Sequence, residues 1–284
     1  MFQYRPLFFA LIFLSFVSYA AEDSAQIAVL QRKGADWLLS RQSEDGSWLG
    51  QSGQPAFTAL ACIGLSDCPQ YQNPEVKAKI DKALDYLVGA AKSDGGIYGS
   101  STKAKVAAEG RGPRGGGGGA SYAAYNTSIC LAALAKFNRP QDVPVCKNAR
   151  AFLLDAQLHE DGQEISSASD GGIGYGSKRN RADLSNTSWA LEALYVTEHL
   201  DREPLNTDPA QTAKAGLAWE KALQFVTLCQ NLAESNQSAW VKSAPKEDRG
   251  GFIYSPDAAL KEKTDGQPLR SYGSMTYAGL KSLI

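Results

Sequence analysis

Histidine is scarce in this chain of 284 residues, which contains only His159 and His199, far apart in the sequence. The sequence also lacks a CxxC pair and an HExxH run, so the usual spacings of zinc ligands are missing. Net charge is nearly absent, because 29 Lys and Arg face 30 Asp and Glu and leave a formal charge of −1. A chain without a basic excess has no field to hold a polyanion, which excludes nucleic-acid binding as the main function.

Cysteine is too sparse for a disulfide scaffold, since five Cys are spread over the whole length. Their odd number leaves at least one thiol without a partner inside the chain. Apolar residues, in contrast, make up 43% of the sequence and aromatic residues 10%. This composition is enough for a packed core and excludes disorder as the main state.

The first twenty residues have the pattern of a secretory signal peptide. Arg5 precedes an apolar run over 7–17, and small residues over 18–20 follow at the cleavage positions, so the pattern predicts a cut after Ala20 or Ala21. The run is too short to cross a bilayer. We therefore expect residues 1–20 to be removed and the mature chain, from residue 22, to be exported to a periplasm or secreted. The alternative is a short anchor that holds the chain at a membrane surface.

The mature chain repeats a two-helix unit. One helix of each unit begins with a Thr that is followed by small and apolar residues, over 57–65, 126–134, 186–194 and 275–283. A helix that is apolar on nearly all sides must be buried all round. An amphipathic helix precedes each of these, over 33–39, 82–88, 148–154 and 221–227, and a Gly-aromatic turn lies between the two, over 45–48, 94–99, 170–176 and 249–254.

These repeats predict an all-α protein with the fold of an α/α toroid, a double ring with apolar helices inside and amphipathic helices outside. An open solenoid of helix pairs is the alternative. The sequence stops within an apolar helix at Ile284. We therefore expect the four pairs to be part of a larger ring whose C-terminal part is missing.

The first repeat carries a specific motif. It consists of Lys33-Gly34, Trp37-Leu38, Gln42 and Gly46-Ser47-Trp48. It reproduces the QW motif, and the chain over 26–284 resembles the prenyltransferase and squalene-cyclase repeat superfamily. This resemblance implies inner helices around an apolar cavity and enzymes that act on polyprenyl chains. It also implies structural roles for Gln42, Gly46 and Trp48, with the Gln side chain accepting hydrogen bonds from a helix N-terminus.

The resemblance places a changed acid motif at the start of the third inner helix. Squalene-hopene cyclases protonate an alkene with an acid of an Asp-x-Asp-Asp-Thr motif, and the matching residues here are 183–187. Asp183 and Thr187 are kept, whereas Ser185 replaces the proton donor and Asn186 its neighbour. A Ser hydroxyl cannot protonate an alkene. Asp183 is then either a remaining catalytic acid or a helix cap, a common role for Asp at this position.

Other chemistry of related folds finds less support. Zinc protein prenyltransferases hold their metal with Asp, Cys and His, and no such set occurs at an inner-helix start, so we expect no metal and no cofactor. A carbohydrate-active α/α barrel would need two carboxylates in one cleft. Asp161, Asp170 and Asp183 are the candidates for it, but the QW motif argues against this fold.

Two functions stay open at this point. The first is a terpenoid-cyclase-like enzyme that acts on a polyprenyl or triterpenoid substrate in the central cavity. The second is a non-catalytic toroid that binds an apolar, isoprenoid-like lipid or a protein partner. In both cases we expect a cavity lined by Asn186, Thr187 and Trp189 of an inner helix and by Tyr175 and Tyr254 of the turns.

Overall fold

The computed structural model describes residues 26–48, 54–99, 122–159, 167–176, 181–202, 204–207, 210, 219–256 and 269–284. In chain order the helices are α1 (26–40), α2 (Pro55–Ser66), α3 (Pro74–Gly89), α4 (Ala123–Phe137), α5 (Val143–Asp155), α6 (Leu184–Val196), α7 (Trp219–Leu228), α8 (Ala239–Lys242) and α9 (Gly273–Leu283). The described residues contain no β-strand, only three isolated bridges. The all-α prediction is confirmed.

The helices form two layers in the predicted order. The Thr-led helices α2, α4, α6 and α9 contact one another in sequence and form the inner layer. The amphipathic helices lie outside, with α3 against α2, α5 against α4 and α6, and α7 against α9. This arrangement is an arc of an α/α toroid.

Small side chains let the inner helices pack closely. Nearly the whole of α4 is buried from Ala123 to Leu134, including Ser128 and Cys130. Short side chains at these contacts keep the distance between helix axes small. Their hydroxyls are satisfied within the helix, as Ser128 Oγ donates to the carbonyl of Ala124 at 2.8 Å.

One hydrogen bond recurs at the start of every inner helix and explains its Thr. The hydroxyl oxygen accepts the backbone N–H of the residue that follows the Gly turn. The pairs are Trp48 to Thr58 (3.0 Å), Ile97 to Thr127 (2.9 Å), Ile173 to Thr187 (2.9 Å) and Phe252 to Thr276 (3.1 Å). Since the hydroxyl of Thr187 also donates to the carbonyl of Asp183, at 2.8 Å, one side chain ties the turn to the helix.

The turn glycines allow the backbone of a turn to approach the next outer helix closely. Gly46, Gly95 and Gly171 have φ between +80° and +91°, where residues with a Cβ are strained. A Cβ on Gly171 would lie 2.1 Å from the carbonyl oxygen of Lys221 in α7. A Cβ on Gly46 would likewise lie 2.6 Å from the carbonyl oxygen of Lys82 in α3, and a Cβ on Gly95 would lie 2.6 Å from that of Asn148 in α5. These turns therefore require glycine for both conformation and space.

The contacts of Gln42 differ from those that the resemblance implied. Its amide nitrogen donates to the carbonyls of Gly46, at 2.9 Å, and of Lys79 in α3, at 2.8 Å. The prediction that Gln42 accepts hydrogen bonds from N–H groups at a helix start is wrong. The side chain instead contacts a carbonyl within α3, so its amide nitrogen donates. Trp48 is half-buried, and its indole N–H donates to the carbonyl of Leu38 at 2.8 Å.

The same glutamine contact occurs in two later repeats, where insertions in the turns hide it in the sequence. Gln157 donates to the carbonyl of Gly171 at 2.8 Å, and Gln230 donates to that of Gly250 at 3.1 Å. The corresponding position in the second repeat is Ala91, which pairs with Ile97 as Gln157 pairs with Ile173.

Several predictions concern residues outside the described part of the chain, namely the signal peptide over 1–20 and Asp161. Among the described residues, no helix is long and apolar enough to span a bilayer. The five cysteines are free thiols, and all but Cys68 are buried.

Candidate functional site

Asp183 is a buried carboxylate at the N-terminus of α6. Its side chain is the helix cap, with Oδ1 accepting the backbone N–H of Asn186 at 2.8 Å and Oδ2 accepting the side-chain amide of Asn186 at 2.7 Å. The residue is only 4% exposed. Among the described Lys, Arg and His side chains, none forms an ion pair with it.

Burial decides the acidity of Asp183. Loss of hydration raises the pKa of its carboxyl to about 6, although hydrogen bonds from Asn186, Tyr254 and the backbone of Ser185 act in the opposite direction. The group is therefore mostly ionised at neutral pH. It is a buried negative charge, and its hydrogen-bond donors in the described part of the chain are neutral groups.

Two tyrosines extend this hydrogen-bond network. The hydroxyls of Tyr175 and Tyr254 hydrogen-bond each other at 2.7 Å, and either of them can be the donor. The phenol of Tyr254 lies near Asp183 and lowers the pKa of its carboxyl. Both residues come from Gly-aromatic turns, and the carbonyl of Tyr254 accepts the N–H of Leu184 at 2.8 Å. The turn of the fourth repeat thus reaches the start of the third inner helix.

Further tyrosines gather at the same end of the inner helices. The ring of Tyr122 stands edge-on to that of Tyr175, with centroids 5.2 Å apart, and the ring of Tyr125 lies 6.1 Å from it. Tyr272 directly precedes α9, and burial, together with the charge of Asp183, raises the pKa of its phenol. We call Tyr122, Tyr125, Tyr175, Tyr254 and Tyr272 the tyrosine cluster. All five side chains are half-buried or exposed.

Asn186 leaves one polar atom unpaired in this region. It is completely buried, and among the residues that the structure describes its Oδ1 has no hydrogen-bond partner. The equivalent residue of the second repeat, Asn126, uses its Oδ1 to accept the N–H of Ala56 at the start of α2, at 3.1 Å.

The other predicted residues lie in different surroundings. Thr187 is completely buried and its hydroxyl is used within the fold, as described above. Trp189 is half-buried farther along α6, where Lys281 lies 5.4 Å from its ring centroid and pairs with Glu192 at 2.5 Å. The structure therefore brings Asp183, Asn186, Tyr175 and Tyr254 together and places Trp189 apart, beside an ion pair that links α6 to α9.

The sequence interpretation missed Tyr122, Tyr125 and Tyr272. A signal was present, since each of them lies two to five residues before the Thr of an inner helix. Tyr98 also follows a Gly turn but takes no part in the cluster. Tyr98 lies three residues after the positive-φ glycine of its turn, whereas Tyr175 and Tyr254 lie four residues after theirs. Its hydroxyl hydrogen-bonds Asp94 at 2.7 Å, and its ring packs against Phe152.

Comparisons with known proteins give a likeness in structure but none in sequence. No protein-family model matches the chain, and no curated protein sequence is similar to it. The apo structure of the type II terpene cyclase MstE from Scytonema is similar with a TM-score of 0.30 and 16% identity, over 69% of this chain. The chain covers 62% of the length of that cyclase chain. Among the described residues, no group of three His, Cys, Asp or Glu is placed to hold a metal ion.

Proposed function

We propose that this chain is a terpenoid-cyclase-like toroid that binds a small apolar, isoprenoid-like molecule at the tyrosine cluster and does not convert it. The observation that carries the proposal is the gathering of four accessible tyrosine rings in contact with one another, with the phenol of Tyr272 close to Asp183, at one end of the inner helices. Phenol rings offer large apolar area with a polar tip, which suits an apolar molecule with one polar end.

The bonding of Asp183 favours binding over catalysis. Protonation of an alkene needs a strongly acidic proton aimed at the substrate. The carboxyl of Asp183, with a pKa of about 6, is largely ionised at neutral pH, and both of its oxygens accept hydrogen bonds from Asn186 in α6. Ser185, at the position that the resemblance gives to the proton donor, carries a hydroxyl that cannot do this chemistry.

A second candidate is an enzyme that uses Asp183 as its acid. The observation in its favour is the burial of this carboxyl, because burial raises its pKa and favours the protonated form. In that case the full-length protein would turn squalene or geranylgeranyl diphosphate into cyclic products, detected by gas chromatography and mass spectrometry. Asp183→Asn would abolish them.

Binding can be tested with geraniol, a neutral ten-carbon isoprenoid alcohol, titrated calorimetrically into the full-length protein. We expect Tyr175→Ala to weaken binding about tenfold, since loss of an aromatic contact costs on the order of 1.5 kcal/mol. Tyr98→Ala is the matched control, because it removes a tyrosine from an equivalent turn outside the cluster. Equal effects of the two substitutions, or no binding at all, would refute the proposal.

A further inference from the structure

The tyrosine cluster surrounds an unbalanced negative charge. Asp183 has no cationic partner among the described residues. Burial is the main cause of the raised pKa of the phenols of Tyr175, Tyr254 and Tyr272, and the charge of Asp183 raises each of them further. This effect reaches tyrosines from three separate segments of the chain. The cluster therefore lies in a negative potential, which attracts cations and disfavours anions.

The rings themselves act in the same direction. The face of a tyrosine ring attracts a cation through its quadrupole, most strongly where water is excluded. Tyr122 and Tyr175 stand at 89° to each other with centroids 5.2 Å apart, and Tyr125 adds a third ring beside Tyr175. Aromatic groups at such angles offer both a face and an edge to one ligand.

Asn186, next to Asp183, adds a buried hydrogen-bond acceptor that has no donor among the described residues. Asn186 Oδ1 is buried without a partner, while the equivalent oxygen of Asn126 accepts an N–H group. A buried acceptor without a donor is costly, and a bound N–H group removes the cost.

We propose that the tyrosine cluster, with Asp183 and Asn186, binds the protonated amine end of an apolar molecule. The aromatic faces and the charge of Asp183 hold the cation, and Asn186 Oδ1 accepts one of its N–H groups. This inference rests on the proposed function, because it names the polar end of the ligand that the cluster takes.

The test compares three probes with the same ten-carbon isoprenoid chain, geranylamine, geraniol and geranic acid, by calorimetry with the full-length protein near pH 8. At this pH both Asp183 and the amine are charged. We expect geranylamine to bind at least tenfold more tightly than geraniol, and geranic acid to bind most weakly. Asp183→Asn should remove most of the preference for the amine. Asn is as good a helix cap as Asp, so α6 should be kept.

The outcomes separate the two proposals. If geraniol and geranylamine bind equally, the inference is overturned and the proposed function stands. If none of the three probes binds, the proposed function fails and the inference fails with it. A preference for the amine that survives in a folded Asp183→Asn variant also overturns the inference, whereas its loss there supports the role of the carboxylate. The comparison of probes on the unmodified protein decides the matter even if the variant does not fold.

Discussion

The buried carboxyl of Asp183 should leave a distinct mark on the pH dependence of stability. Its pKa rises from 3.8 in the unfolded chain to about 6 in the folded protein. The folded state therefore binds the proton more tightly, so the free energy of unfolding falls as pH rises from about 4 to about 6. A shift of about two units corresponds to a loss of about 3 kcal/mol by neutral pH.

The substitution Asp183→Asn isolates this contribution. Asn keeps the cap but does not titrate, so the other carboxyl groups cancel when the two proteins are compared. We expect the unfolding free energy of the unmodified protein, relative to the variant, to decrease by about 2.4 kcal/mol between pH 4 and pH 7, because part of the total effect is already lost at pH 4. Urea unfolding followed by circular dichroism at a series of pH values measures it.

Two results would refute the reasoning. A difference between the proteins that does not change with pH would mean that the carboxyl keeps its ordinary pKa in the folded state. A relative stability that increases from pH 4 to pH 7 would mean that a cation pairs with Asp183 and lowers its pKa.

Three further predictions concern the turns and their hydrogen bonds. Gly171→Ala should destabilise the protein more than Gly250→Ala in urea unfolding. Both glycines have φ near +80°, so the backbone strain of the two substitutions is similar. A Cβ at Gly171 would clash with the carbonyl of Lys221 in α7, whereas among the described residues nothing lies within 4 Å of a Cβ at Gly250. Equal costs would contradict the close approach. Thr187→Val should cost about 1–3 kcal/mol in the same assay, since it leaves a buried N–H of the turn without an acceptor. A cost near zero would show that the hydrogen bond is dispensable. Tyr254→Phe should raise the pKa of Asp183 above 6, because it removes a donor to the carboxylate, and the midpoint of the pH-dependent stability change should move upward. An unchanged midpoint would exclude that bond.

Much of the architecture follows from local sequence patterns. The uncharged run that begins at Thr127 predicts a helix buried on all sides, and α4 is such a helix. The Gly-rich turns were recognisable because residues such as Gly95 supply a positive φ that other residues rarely adopt. The glutamines of the later turns escaped notice because insertions separate Gln157 and Gln230 from their glycines, and a short linear motif does not tolerate such gaps.

The candidate site was only partly predictable. Asp183 and Tyr254 were named from the sequence, but nothing in their spacing shows that the turn of Tyr254 reaches the start of α6. Tyr122 was missed because its place before an inner-helix Thr does not show which other residues it contacts.

By itself, the sequence determined which segments are helices and which of these are buried, because the apolar pattern of a helix is written in neighbouring residues. Only the tertiary structure decided that Tyr122, Asp183 and Tyr254, from three different repeats, meet at one end of the inner layer. That meeting depends on how far each repeat is rotated against the next. The rotation arises from packing between repeats, such as the approach of Gly171 to α7, and no single segment encodes it.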